Sequence, residues 1–367
     1  MVAPGGLRGA VRITRGKWWR RAHHADAIDR TEKGVLSSIG LRTTLPQVRE
    51  ENLGSYLVRR FGLMLLTLFG ISVIIFLMLR LAPGNIADIL FDAAGFVDPA
   101  EKAKIMQDLG LDKPLPVQYA QWIGGLLQGD LGYSYVSDRP AIHEILPRIP
   151  ITAKVAGLAL SFAVLLGVPL GVISAVKQNT RLDYVLRVLS LSGLSMPAFW
   201  LGLLVLMFFV SYFGTIPIYT DAPQSFLAGL AMYSIPAAVV GFRSSALMTR
   251  LTRSSMLEVL RQDYIRTARS KGASENVVNY HHALKNAVLP VVTVIGIEAA
   301  FLMGGLIVTE TVFNIPGVAR FLVEAIRWRD YPIVQNLVMY IAIIVVFVNF
   351  TVDMLYAALD PRIKYSE

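Results

Sequence analysis

Long hydrophobic stretches alternate with shorter polar stretches along most of the chain. Stretches of about 20 nearly uncharged residues recur, and each is long enough to cross the roughly 30 Å hydrocarbon core of a bilayer. They predict six spans, at residues 61–79, 151–176, 188–213, 225–248, 287–308 and 333–359. Because lipid offers no water to backbone N–H and C=O groups, the spans are expected to be α-helices. The predicted fold class is an all-α polytopic membrane protein.

The polar stretches divide the chain into four parts. These are a basic tail at residues 1–55, the first transmembrane helix at 56–81, an acidic segment at 82–150, and the remaining spans at 151–367. The tail lacks the apolar core of a signal peptide, and we expect it either to lie on the membrane surface or to be flexible. Within the last part, a polar loop at about 250–286 separates the fourth span from the fifth.

Positive charge is concentrated on one side of the predicted spans. Arg and Lys cluster before the first span, in the loop at 177–187 and in the loop at 250–286, whereas the segment at 82–150 is mainly acidic. Since loops rich in Arg and Lys stay in the cytoplasm, both termini and the 250–286 loop are expected to be cytoplasmic. The acidic segment is then extracytoplasmic.

Composition excludes several function classes. The chain has no cysteine, so disulfides and thiolate metal sites are excluded. Its net charge is +9. The basic residues lie beside the spans, and we therefore expect membrane lipid rather than nucleic acid as the partner of this charge. The sequence has no phosphate-binding loop and no catalytic motif, so we expect no catalytic residue, no metal site and no cofactor bound by this chain.

The second span and the polar loop each carry informative small residues. Gly167 and Gly171 have the spacing that lets a second helix pack closely. In the loop, Gly272 is expected to adopt a positive φ between two short helices, with Ser274 as the cap of the second. Ala268 is small enough for the close approach of a partner. From these residues alone, the loop is either a docking surface or an ordinary cationic loop.

The polar loop resembles the cytoplasmic "EAA" loop of binding-protein-dependent ABC importer permeases. Arg266, Thr267 and Ala268 occupy the Glu-Ala-Ala positions of that consensus, and Gly272 occupies its glycine. The late Leu-Pro at 289–290 resembles the dipeptide/oligopeptide/nickel branch of the family. Further similar stretches extend the resemblance over about residues 56–365, at 56–60, 80–84, 109–119, 129–134, 195–202, 310–317, 329–332 and 360–362.

The resemblance implies a permease subunit of an ATP-driven importer in the bacterial cytoplasmic membrane, carrying peptides or a similar small solute. It implies a second related permease, two ATP-binding subunits that hold ATP and Mg, and an extracytoplasmic solute-binding protein. The short helix of the loop would dock on an ATP-binding subunit. The coupling residues implied in this way are Arg266, Thr267, Ala268, Arg269, Lys271, Gly272 and Ser274.

Other functions stay open at this point. Relatives of the same machinery carry nickel chelates, glutathione, opines or oligosaccharides. A secondary transporter driven by an ion gradient would need inverted repeats and an ion relay. A channel would need a filter loop or a charged ring, and neither is visible in the sequence.

Three charged residues lie in or near predicted spans, where ionisable groups are costly and often functional. Glu298, near the middle of the fifth span, is expected to face a water-filled pathway or to pair with Arg243. Arg243 is expected to line the pathway or to reach lipid phosphates. Asp353, near the end of the sixth span, is expected to be structural.

Overall fold

The computed structural model describes residues 53–81, 100, 106, 107, 110–215, 218–220 and 225–359. The side chains of residues 53, 56 and 355–359 are outside this description. Residues 52–363 form one compact unit. The second unit, residues 1–51 and 364–367, lies outside the described residues, as do most of the predicted tail and much of the acidic segment before residue 110.

The described residues form helices connected by turns, with one isolated β-bridge between Tyr133 and Pro140. Five helical stretches are long and apolar enough to cross a membrane, and a bent helix pair brings the number to six. This confirms the all-α polytopic prediction. The helices are α1 (Leu53–Leu81), α2 (Leu115–Gln128), α3 (Ala141–Ile145), α4 (Ile149–Val176), α5 (Arg181–Ser195), α6 (Ala198–Phe213), α7 (Phe226–Leu260), α8 (Asp263–Ser270), a π-helix (Val277–Ala283), α9 (Leu284–Gly305), α10 (Ile307–Val312), α11 (Val318–Arg327) and α12 (Tyr331–Leu359).

The predicted third span is not one continuous helix. Its two halves, α5 and α6, are bent by 103° relative to each other. Pro197 directly precedes α6, and a proline clashes with a helical conformation of the residue before it. Met196 is accordingly extended, with φ −81° and ψ 127°. The break therefore follows from the Met196–Pro197 step.

The predicted fourth span is longer than expected. It was expected to end at residue 248, but α7 continues to Leu260 without a break. The added residues are polar and basic, but no glycine or proline lies among them, and residues such as Leu, Met, Glu and Arg favour helix. Arg250 and Arg253 consequently lie on a helix instead of in the polar loop.

A close helix contact joins α4 and α7 through the two glycines of the second span. A Cβ atom on Gly167 would lie 2.7 Å from the carbonyl oxygen of Ser245, and one on Gly171 would lie 2.7 Å from that of Thr249. Only hydrogen fits at these positions, as the spacing of the glycines predicted. The absence of side chains brings the two backbones together over about one turn of helix.

Contacts at its two ends show that α4 runs the length of the helix bundle. At its start, Thr152 contacts Glu310 and Val318, next to α11. At its end, Val172 and Ala175 pack against Ile265 of α8. We call these the α11 end and the α8 end.

The Arg60–Asp353 ion pair, with an N–O distance of 2.9 Å, joins the beginning of α1 to the last turns of α12. The pairing gives Asp353 the structural contact expected for it from the sequence.

The α4–α7 contact yields a stability prediction. Gly171→Val should destabilise the protein by about 1–3 kcal/mol, because its side chain must displace the α7 backbone. Gly157→Val is the matched control, since Gly157 lies on the same helix and a Cβ there meets no atom within 4 Å. Both variants are heated in detergent, and the folded fraction that remains is measured by size-exclusion chromatography. The shift in midpoint temperature between them gives the difference in stability. Equal stability of the two variants would contradict the close-packing interpretation.

Candidate functional site

The predicted turn between two short helices is present at the α8 end. α8 ends in three backbone hydrogen bonds: Lys271 N donates to Thr267 O at 3.1 Å, Gly272 N to Arg269 O at 2.9 Å, and Ala273 N to Ala268 O at 3.2 Å. Gly272 has a φ of 81°, the left-handed conformation expected for it. A Cβ atom there would meet no atom within 4 Å, so backbone conformation alone favours glycine.

The second helix of the loop differs from the sequence expectation in two respects. It begins directly after Ser274, whose carbonyl accepts from Val278 N at 2.9 Å, but the described hydrogen bonds of this loop do not include the Ser274 hydroxyl. Seven of its residues, Val277–Ala283, form a π-helix, a form often found at functional sites. Ser274 thus has the position of a cap without the side-chain bond.

Arg269 and Glu275 connect the two short helices across the turn. Arg269 donates from Nε to Oε1 at 2.8 Å and from Nη2 to Oε2 at 3.2 Å. The hydrogen bond from Arg269 lowers the pKa of the Glu275 carboxyl, and that from Glu275 raises the pKa of the guanidinium. The pair therefore weakens as pH falls through the lowered pKa of Glu275. Both side chains are solvent-exposed, so the pair orients the turn more than it stabilises it.

One face of α8 is anchored in the protein interior. Ile265 is completely buried among residues from α4, α7, the π-helix and α9. Ala268, one turn later on the same face, packs against this cluster. The side chain of Ala268 is partly buried in this way, and the close approach of a partner at Ala268 stays a prediction.

The opposite face of α8 is exposed and basic. Tyr264 is fixed on it by a hydrogen bond from Asn286 Nδ2 to its hydroxyl at 2.8 Å. Arg266 is 74% exposed, and its 3.4 Å ion pair with Asp263 is also in solvent. The sequence-predicted residues on this exposed side are Arg266, Thr267, Arg269, Lys271, Gly272 and Ser274.

A buried ion pair near α8 was not foreseen from the sequence. Asp183, at the start of α5, is fully buried and accepts from Arg253 of α7 at 2.8 Å and 2.9 Å. Ser174 of α4 donates to the same carboxylate at 2.6 Å, and the backbone N–H of Asn179 donates at 3.0 Å. These bonds join three helices at the α8 end. The two charges are 70 residues apart, so local sequence pattern could not pair them.

Glu298 and Arg243 are not brought together as an ion pair in the part of the chain that the structure describes. Glu298 is buried and accepts a hydrogen bond from Ser244 of α7 at 2.5 Å. Arg243 is exposed on α7, with its guanidinium 5.5 Å from the ring centre of Phe301. Adjacent helical residues point about 100° apart, so Ser244 faces the buried Glu298 of α9 while Arg243 lies on the exposed side, next to the Phe301 ring of the same helix.

A second buried carboxylate lies at the α11 end. Glu310 is fully buried and accepts from Thr152 Oγ1 at 2.6 Å and from the backbone N–H of Arg320 at 2.8 Å. Thr152 in turn accepts from Val318 N at 2.8 Å. Burial raises the pKa of the Glu310 carboxyl, and these hydrogen bonds oppose the rise. Its carboxylate satisfies backbone donors at the start of α11, a role that its place in the sequence did not reveal.

Comparisons with known proteins identify one family. The family described as binding-protein-dependent transport system inner membrane component matches residues 167–365. The corresponding N-terminal family of such membrane components matches residues 53–156.

Curated relatives match over most of their length. The chain is 39% identical over 333 residues to the di/tripeptide transport system permease protein DppB of Pseudomonas aeruginosa (strain UCBPP-PA14), covering 85% of this chain and 99% of the relative. It is 38% identical over 337 residues to the dipeptide transport system permease protein DppB of Escherichia coli (strain K12), with the same coverage. It is 41% identical over 312 residues to the glutathione transport system permease protein GsiC of Pectobacterium atrosepticum, again covering 85% and 99%.

A solved structure shares the fold. One chain of the MetNI methionine ABC transporter, in inward-facing conformations, superimposes with a TM-score of 0.50 at 17% sequence identity. The match covers 60% of this chain and 98% of that chain. At this identity the likeness concerns the fold alone.

The Asp183–Arg253 pair yields a prediction about the α8 end. Asp183→Ala should destabilise the protein by about 3 kcal/mol, because it leaves the Arg253 guanidinium without its carboxylate. Arg187→Ala is the control: Arg187 is 3.7 Å from the same carboxylate but 46% exposed, so its loss should cost less than about 1 kcal/mol. Thermal unfolding in detergent separates the two variants. Similar losses in both would mean that the buried pair has no special role.

Proposed function

The chain belongs to the family of binding-protein-dependent transport system inner membrane components, and from this premise we propose that it moves peptides across the membrane and is coupled through α8 to an ATP-binding subunit. Membership makes it a multi-pass permease subunit of an ABC importer. In our proposal it is a transport subunit without its own ATPase site, and ATP is hydrolysed on separate subunits. The family description also implies a solute-binding protein and ATP-binding subunits as partners.

The observation that carries the coupling proposal is the two-sided character of α8. Its buried face is fixed by Ile265 to the ends of α4 and α7, and its exposed face carries Arg266, Thr267 and Lys271. When a partner subunit displaces the exposed face of such a short helix, the buried face displaces the long helices that it contacts. We therefore assign the coupling role to the exposed face, together with the Gly272 turn, Arg269 and Ser274. Ala268 contributes by packing α8 against the buried cluster around Ile265.

We assign peptides as the solute. The relatives described above are named for dipeptides, di/tripeptides and glutathione, which is itself a tripeptide. The transport machinery is thus associated with short peptides in three bacterial species. Nickel chelates, opines and oligosaccharides stay as alternative solutes of the same machinery.

We propose a transporter of four membrane-associated subunits that receives its solute from a binding protein outside the membrane. A second, related permease would complete the solute pathway, and two ATP-binding subunits would hold ATP and Mg at the α8 end. In this proposal the tail and the polar loop that follows α7 lie inside, and residues 82–150 lie outside. Arg243 and Glu298 are the proposed polar groups of the pathway, Arg243 on an exposed face and Glu298 behind it.

The coupling proposal predicts that Gly272→Val abolishes solute-stimulated ATP hydrolysis and uptake without removing the protein from the membrane. Valine is strongly disfavoured at positive φ, so the turn that orients α8 should change. Gly214→Val is the matched control, because Gly214 also has a positive φ of 64° and open space around its Cβ position. It lies at the end of α6, far from α8 in the sequence. The measurement is dipeptide uptake by proteoliposomes containing all subunits and the binding protein.

The control variant and the wild-type complex each have a distinct expected uptake in that experiment. Gly214→Val should keep more than about half of wild-type uptake at equal protein level, because its strain lies away from the proposed contact. Wild-type uptake by Gly272→Val would contradict the coupling role of the loop. A wild-type complex that imports no peptide would instead contradict the proposed solute.

The proposed orientation can be tested with single cysteines, since the chain has none of its own. Leu127→Cys, at a position 82% exposed on α2, should react with an impermeant thiol reagent in intact spheroplasts. Ser270→Cys, on exposed α8, should react only after the membrane is broken. The reverse labelling pattern would show that the chain has the opposite orientation in the membrane.

A further inference from the structure

A polar cavity of about 400 Å³ lies at the α11 end, apart from α8. Its walls include two arginines, Arg148 and Arg320, one acidic residue, Glu324, and also Thr220, Asn314 and Phe321. Cavities that bind small molecules are commonly about 300–1,000 Å³ and contain a few well-placed polar groups. This cavity has the size of such a site, and two arginines supply N–H donors to its walls.

Arg320 is held in place by neighbours that leave part of its guanidinium available. Its Nε donates to Glu324 at 2.8 Å and its Nη1 donates to Asn314 Oδ1 at 2.5 Å. Its backbone N–H donates to the buried Glu310, which fixes the start of α11. The described hydrogen bonds of Arg320 do not use Nη2, so this nitrogen can donate to a molecule in the cavity.

Arg148 is fixed by a different set of contacts. Its guanidinium lies 3.8 Å from the ring centre of Phe321, which holds the plane of the group by cation–π attraction. Its Nη1 donates to the carbonyl and the carboxylate of Glu144. The described hydrogen bonds of Arg148 leave Nε and Nη2 unused. Its side chain is 26% exposed and that of Arg320 30%, so both are accessible from the cavity.

The chemistry of these donors favours a carboxylate. A guanidinium presents parallel N–H groups that match the two oxygens of a carboxylate, and such charge-assisted hydrogen bonds are stronger than neutral ones. Arg320 is paired with Glu324 and Arg148 with Glu144, but each guanidinium keeps N–H groups that its described hydrogen bonds do not use. Since a guanidinium has donors and no acceptor, these N–H groups favour an acceptor-rich anion over a neutral or cationic group. Thr220 adds a hydroxyl to the same wall.

We propose that this cavity binds the terminal carboxylate of the transported peptide as the peptide enters from the binding protein. The inference rests on the proposed function for the identity of the solute. The α11 end is opposite the α8 end along α4 and so faces the side from which the solute arrives in that proposal. Arg148 and Arg320 would select peptides with a free C-terminus before the peptide reaches the middle of the bundle.

The test uses the assembled transporter in nanodiscs without the binding protein, so that the binding protein cannot supply the selectivity. The probes are L-alanyl-L-phenylalanine and its C-terminal amide, with binding measured by saturation-transfer NMR. We expect the free acid to bind about tenfold more tightly than the amide, which lacks the negative charge. Arg320→Gln and Arg148→Gln should each reduce this preference at least severalfold.

Arg327→Gln is the matched control, because Arg327 is an exposed arginine on the same helix and does not line the cavity. It should keep the wild-type preference for the free acid. Arg320→Lys keeps the charge but loses the planar fork, and should retain part of the preference. If Arg320→Gln fails to fold, the Arg148→Gln variant decides the question alone.

Several outcomes would overturn the proposal. Equal binding of acid and amide by the wild-type transporter would do so, as would an unchanged preference in both glutamine variants. If both variants instead weaken association with the binding protein and leave the preference intact, the arginines receive an acidic side chain of that protein and the proposal is wrong. Selective binding of the free acid without peptide import by the complete system would contradict the proposed function and leave the carboxylate site standing.

Discussion

The fold depends on the contact between α4 and α7, where two glycines remove the side chains that normally separate helices. In a bilayer, helices gain nothing from hiding apolar surface from water, so close packing and hydrogen bonds must hold them together. Gly167 and Gly171 provide the packing by allowing the backbones to touch. Because α4 reaches both ends of the bundle, this contact relates the α8 end to the α11 end. Whatever moves one end of the helix pair must move the other.

A buried carboxylate lies at each end of α4. At the α8 end, Asp183 collects hydrogen bonds from Arg253 on α7 and Ser174 on α4. At the α11 end, Glu310 collects them from Thr152 on α4 and from the start of α11. A buried charge is costly unless it is fully hydrogen-bonded, so each of these groups tolerates only a narrow range of helix positions. Packing in the middle and polar bonds at the ends thus specify one arrangement.

The sequence was sufficient for features that depend on local pattern. Hydropathy predicted the spans, and the Gly272 turn and the glycine pair of α4 were recognisable from spacing. It was not sufficient where distant residues decide the outcome. The packing of Ala268 depends on Ile265 being buried among residues of four other helices, and the partner of Asp183 lies 70 residues away. The bend at Pro197 was also missed, because α4, α7 and α9 each contain a proline without being broken by it.

The same arrangement gives a physical account of how α8 can act on a distant site. α8 enters the bundle through a single fully buried side chain, Ile265, which contacts the ends of α4 and α7 together. A displacement of α8 therefore acts on a helix pair whose backbones are in close contact at the two glycines of α4. At the far end, that pair carries Thr152, which bonds to Glu310 and to the first residue of α11. Glu310 in turn holds the backbone of Arg320. Movement at the proposed ATP-driven face would thus reach the arginine cavity through packed backbone and hydrogen bonds, without requiring any flexible element between them.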